Sequence, residues 1–247
     1  MKASIFKILL PVSLLLFLSS CGMNTVNVDA LKKTKSVALI SIMSEQSVDT
    51  SKVDEGSLLA MVANHVSSSD ATDMTNKVDK LKQHILSKSS AIFGFRMVSE
   101  NQVIGSKTYK SIDDSNKNMS NLVAPAGYKR IFSNEKKALD LAFKDLKGVD
   151  AAMIVTLKMR LVKGIGAVGV GKSFLWADMT FYLVDRQGNL ILHKTASNES
   201  DTSALRVMGV FNGSDIEKMA LESVDKDLRE VATWMQEEMK KPAKKKA

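Results

Sequence analysis

The sequence predicts an α/β (α+β) domain: a mixed sheet with a C-terminal β-meander packed against helices. Three observations carry this. Residues 36–43, "SVALISIM", form a short apolar run rich in β-branched side chains, as a buried strand requires. Residues 151–161 and 175–183 alternate apolar with polar side chains, the period of strands with one wet face. Ile216, Met219, Ala220, Val224, Leu228, Val231, Met235 and Met239 recur at helical spacing, marking a long terminal helix.

In chain order, residues 22–34 read as a polar, irregular tether. The strand at 36–43 follows, then a polar loop over 44–56. Residues 57–66, "SLLAMVANHV", can form one apolar helical face. Met74, Val78, Leu81 and Ile85 define a clearer helix, with Thr72 or Asp73 as its N-cap. "FGFRMVS", residues 93–99, reads as a strand. Residues 100–133 have little periodicity and read as a long connection with a short helix near 101–104. Connections this long are often functional. Ala138, Leu141, Ala142 and Leu146 share the face of the next helix, with Ser133 or Asn134 as cap and Gly148 as stop. The meander is expected at 151–162, 174–185 and 190–196, with Gly188 giving positive φ in the turn "DRQGN". A polar, Gly-containing link leads to the last helix, which starts near Ser214 or Asp215 and ends before Pro242.

"GAVGVGKS", residues 166–173, satisfies the phosphate-loop pattern G-x-x-x-x-G-K-[ST] at every fixed position. A working phosphate loop joins a strand to a helix, whose N-terminal amides and dipole hold the phosphate. Here "FLWADMTFYLVD" follows with period two, so a strand is expected in place of the helix. "FYLVD" begins too soon after Ser173 for a helical crossover, which takes a dozen or more residues. No nucleotide is expected. The run Gly164, Ile165, Gly166, Ala167, Val168, Gly169, Val170 and Gly171 instead reads as the tip of a β-hairpin. One reading makes it a permissive connection. The other makes it a contact tip, docking on a partner, pairing with another chain or dipping into a membrane interface.

The N-terminus sets the compartment. Lys2 and Lys7 precede the apolar core "ILLPVSLLLFL", and "LSSC" ends in Cys21, the one cysteine of the chain. The apolar segment is short for a transmembrane helix and fits a cleaved signal. The "LSSC" stretch resembles the lipobox of bacterial lipoproteins. That resemblance implies a signal peptide over 1–20, a diacylglyceryl lipid on Cys21 and a lipidated tether over 21–34. Gly22 after the cysteine goes with the outer membrane in that family, and a periplasm-facing domain is expected. A single domain is expected over 35–240 and a basic disordered tail over 241–247. Removing Lys2 and Lys7 with the signal lowers the formal net charge from +8 to +6. With one cysteine no intramolecular disulfide forms, so stability must come from a core, which 45% hydrophobic content allows. Export from the cytoplasm argues against nucleic acid as a partner.

Catalytic motifs are missing from the sequence. His65, His84 and His193 lie far apart, without metal-ligand spacing, and no H-E-x-x-H, paired Cys or G-x-S-x-G occurs. The adjacent pairs Asp113–Asp114 and Glu237–Glu238 fit solvated faces. No enzyme, metal or cofactor is expected beyond the covalent lipid on Cys21.

"KSVALISI", "FRMVSENQVI", "APAGYKRI", "GVDAAMIV" and "FYLVDRQGNLIL" are together similar to segments of small envelope lipoproteins. Those lipoproteins are related to the curli-secretion channel and to the penicillin-binding-protein activators. The resemblance spans roughly residues 35–240 and implies a mixed sheet on helices that works by binding or assembly. Of its functional residues it carries over Cys21 alone, and the long membrane-spanning hairpins of the channel branch are not evident. The sequence thus reads as a membrane-anchored lipoprotein acting as a non-catalytic binding or assembly module, with a protein or cell-wall partner or a homo-oligomer. Two alternatives stand beside it: a lipid-interacting, membrane-perturbing lipoprotein, or a ligand-binding or hydrolytic protein using the 100–133 loop.

Overall fold

The structure is a computed structural model and describes residues 24–53, 69–114, 121–167, 170–207 and 211–241. Cys21, the helix expected at 57–66 and the tail at 242–247 lie outside the described residues. The strands are β1 (Thr25–Val26), β2 (Ser36–Glu45), β3 (Arg96–Met97), β4 (Leu122–Val123), β5 (Ala151–Ala167), β6 (Val170–Asp185), β7 (Leu190–Glu199) and β8 (Ala204–Val207). The helices are α1 (Val28–Lys33), α2 (Ser69–Thr72), α3 (Val78–Phe93), α4 (Glu100–Ile104), α5 (Lys107–Lys110), α6 (Lys136–Lys144) and α7 (Gly213–Lys240).

One mixed sheet runs β1-β7-β6-β5-β2-β3, with β4 added to β2 and β8 to β6. The meander β5-β6-β7 is antiparallel, while β2 is parallel to both β3 and β5. The fold class is therefore as the sequence indicates. β2 is buried on both faces, which explains its unbroken apolar run. A register shift between Leu39 and Ser41 re-aims its side chains, and the Ser41 hydroxyl accepts from the Ile131 amide. One face of the sheet packs against α3 and α7 through Leu81, Ile85, Phe181, Met219, Leu228 and Val231. The other face, over β2 and the start of β5, is covered by α6 and its neighbours through Tyr109, Ile131, Leu139, Ala142 and Phe143.

Several expectations change. Residues 25–33 are not irregular: β1 pairs with β7, and α1 buries Leu31 under an Asn27 cap. Asp73 and Thr72 do not cap α3. Asp73 bridges to Ser47 and accepts from the Thr75 amide, so the chain turns before the helix starts at Val78. The strand expected at 93–99 shrinks to Arg96–Met97, because α3 continues through Phe93 and Gly94 closes it at φ 74°. Of the expected stripe, Ala142 and Leu146 are buried and Ala138 and Leu141 pack partly buried against the same cluster, but α6 also buries Leu139 and Phe143, and its N-cap is Glu135. The 100–133 connection holds α4, α5 and β4. The link before α7 holds β8, and Asn212 caps α7. The turn at Gly188 (φ 81°) is as expected, with the Asp185 carboxylate accepting from the Gln187 and Asn189 amides.

Candidate functional site

The hairpin β5–β6 is longer than its alternating pattern indicates, because both strands run on into the glycine-rich run. Gly166 pairs with Gly171 and Ala167 with Val170; Val168 and Gly169 lie outside the described residues. Lys163 pairs with Ser173, so Gly164 and Ile165 together face Lys172, a bulge with two residues opposite one. The glycines have steric reasons. A Cβ on Gly166 would land on the Gly171 Cα and within 2.7 Å of the Val170 carbonyl oxygen. A Cβ on Gly164 would come within 2.7 Å of the Phe174 ring, which lies over it. These are close backbone and ring approaches inside a ladder. Lys172 and Ser173 pair with Leu205 and Ala204 of β8, and the Ser173 hydroxyl is fully buried. The segment that matches the phosphate-loop pattern is thus a hairpin followed by strand, as its period indicates.

β8 is among the elements that the sequence pattern does not announce, and its own pattern is inverted. Leu205 (59% exposed) and Val207 (47%) face solvent, while the Arg206 side chain is buried. Arg206 donates to the Val53 carbonyl, and its Nε is without a partner. Arginine is rarely buried and a strand normally turns its apolar residues inward, so this arrangement stabilises nothing by itself. The signal was present in "ALRV", but four residues are too short for a period to be read.

Side chains opposite one another on antiparallel strands share a face, as do alternate residues along a strand. Val170, Lys172, Phe174 and Trp176 of β6 therefore share one face with Val207 and Leu205 of β8. That is the face opposite α7, since Leu175, Ala177 and Met179 pack in the α7 cluster. With Ile165, 93% exposed, four of the five most exposed large apolar side chains among the described residues gather at this end. The fifth, Leu190, lies at the other end of the sheet beside the Asp185 turn. Over 161–167, 170–177 and 204–207 the charged residues are Lys163, Lys172 and Arg206, without an acid. Further along the same face, Arg160 pairs with Asp178 and lies over the Trp176 ring, and Tyr182 stacks on His193 at 4.6 Å.

Elsewhere, polar groups are largely engaged with one another. His84 meets Asp225 at 3.3 Å. A cleft of about 340 Å³ is lined by Ser36, Arg96 and Asp145, but Arg96 bonds Ser36 and Asp145 accepts from Ser106. The described part of the 100–133 connection is docked on the sheet rather than poised as a lid. Tyr109 donates to the Ile40 carbonyl at 2.7 Å and accepts from the Lys129 amide, and burial pushes its phenol pKa up. Asp227 of α7 is fully buried, with Oδ1 accepting from Asn198 and Oδ2 unpartnered. Burial pushes its carboxyl up to about 8, Asn198 opposes this, and the charges of Glu230 and Asp178 add to it. Among the described residues no group of three His, Cys, Asp or Glu could hold a metal ion, and no helix is long and apolar enough to cross a membrane.

No known protein family matches the chain, and no curated protein matches its sequence. Among solved structures it is similar to the lipoprotein GNA1162 of Neisseria meningitidis, at 11% identity and a TM-score of 0.34. That match covers 78% of this chain and 96% of the other. The hypothetical protein CT253 of Chlamydia trachomatis is similar at 7% identity and a TM-score of 0.34, covering 82% and 98%. One of the two is a bacterial lipoprotein; likeness at this level assigns no function.

Proposed function

We propose that this protein is an outer-membrane lipoprotein held by a lipid on Cys21, acting as a non-catalytic binding module of the cell envelope. It is of the kind found beside curli secretion and penicillin-binding-protein activation. Its contact surface is the far end of β5, β6 and β8. The observation that carries the reading is the inversion there: Ile165, Val170, Leu205 and Val207 face out while Arg206 and Ser173 are buried. An exposed apolar cluster costs solubility and is retained where something covers it. Two measurements test the two halves. Cys21→Ser should block processing or release the protein from membranes; normal membrane fractionation of this variant would remove the anchor. A photo-crosslinking residue at Ile165 should give adducts in intact envelopes that one at Gln187, on the Asp185 turn, does not. Equal yields at the two positions would remove the contact surface.

A further inference from the structure

We infer that the inverted hairpin end rests on an anionic phospholipid bilayer, the same bilayer that holds the lipid of Cys21. The inference deepens the reading above and rests on its anchor. Chemistry is the first argument. The most exposed side chain of the cluster, Ile165, is apolar, and Lys172 shares the face with Leu205, while Lys163 and Arg206, on the opposite face, add further positive charge at the same end. Small apolar groups with a lysine among them suit the boundary of an anionic bilayer, where the apolar groups leave water and Lys172 meets lipid phosphate. Phe174 and Trp176 continue the same face behind the tip, where Glu199 opposite Trp176 is the first acid, and tryptophan favours the headgroup level.

The exit of the chain toward its anchor is the second, independent argument. β1 is antiparallel to β7, with Thr25 opposite His193 and Val26 opposite Leu192. Going from β1 toward the N-terminus therefore follows β7 toward Glu199, and β7 in turn leads toward the low-numbered, glycine-rich end of β6. Asn24 lies at the level of Thr195, whose amide donates to its Oδ1 at 3.1 Å, and Thr195 pairs with Thr180. Nine residues of β6 separate Thr180 from Gly171, about 30 Å of strand. Asn24 is three Cα steps from Cys21, about 11 Å of chain at most. The lipid thus holds Asn24 close to the bilayer, at the end of β1 nearer the hairpin tip. If both Cys21 and the tip touch the surface, the strands lie inclined to it by about 20° or less. The face opposite α7 is the apolar one at that end, so it is the face turned down.

Because lipid occupies the one native cysteine, an introduced cysteine is a unique labelling site. The lipidated full-length protein, as Ile165→Cys and separately as Gln187→Cys, is labelled with an environment-sensitive fluorophore. Each is reconstituted in vesicles of phosphatidylethanolamine and phosphatidylglycerol at 3:1. Lipids brominated on their acyl chains should quench the label at 165 at least threefold more than that at 187. Adding Leu205→Asp and Val207→Asp should reduce the difference at least twofold. So should replacing phosphatidylglycerol with phosphatidylcholine, or raising salt until the screening length falls from about 10 Å to about 3 Å. Equal quenching at 165 and 187 overturns the inference, as does a 165 label protected by a crosslinked protein. Mass analysis of the N-terminal peptide tests the anchor separately: an unmodified Cys21 overturns the anchor, and with it the shared-bilayer geometry.

Discussion

The two ends of the β5–β6 hairpin follow opposite rules. Near its base, Met153, Val155 and Leu157 of β5 and Met179, Phe181 and Leu183 of β6 are fully buried beneath α3 and α7. At its far end the outward positions are Ile165 and Val170, and β8 adds Leu205 and Val207 outside with Arg206 inside. The strands, ladder and sheet are the same; what differs is what lies on each face. At the base, α3 and α7 cover one face and α6 with its neighbours covers the other over the start of β5, so both sets of side chains serve the core. At the far end the outward apolar face opposes α7, so its residues do not contribute to the core. The difference teaches that one hairpin builds the core at one end and leaves apolar side chains in solvent at the other.

The comparison can be broken most directly at the base. Phe181→Ala removes a fully buried ring that meets Phe93 at 5.0 Å and should cost about 3–5 kcal/mol in denaturant unfolding. A loss below about 1 kcal/mol would mean that the base is not the stabilising half. Gly166→Val tests the far end's backbone. The added side chain meets the Gly171 backbone, so about 1–3 kcal/mol should be lost. Amide exchange should rise around residues 163–173 and stay unchanged at 153–157. If exchange there is unaltered, the two strands do not approach as described.

Asp227 sharpens the comparison on the covered face. Its folded pKa of about 8 lies above its ordinary 3.8, so the folded state holds the proton more tightly than the unfolded one. The stability this confers is fully present below about pH 3.8 and is lost as pH rises through about 8. Asp227→Asn keeps an oxygen for Asn198 and removes the buried charge. It should raise the Tm at pH 8 by about 2–4 °C and flatten the pH dependence between those values. An unchanged Tm–pH curve would show Asp227 to be solvated. The smallest effect is expected at the proposed contact surface. Leu205→Ser should change stability by about 0.5 kcal/mol or less, since this side chain is mostly in water. A loss as large as that of Phe181→Ala would place Leu205 in the core and remove the distinction.

The sequence by itself determined the elements whose period is long enough to read. The meander, the two-face burial of β2 and the stripe of α7 follow from alternation and helical spacing, which backbone geometry imposes locally. Local pattern also showed that "GAVGVGKS" leads into a strand, and placed an apolar, glycine-rich run at a hairpin tip. Tertiary structure alone decided the rest. That β2 lies parallel to β5, and that Asp227 is buried against Asn198, depend on residues far apart in the chain. The exposed apolar cluster became visible only when β8 was laid beside β6. Four residues carry too little pattern to announce a strand, and burial of Arg206 beside exposed Leu205 and Val207 is a property of the neighbours they meet.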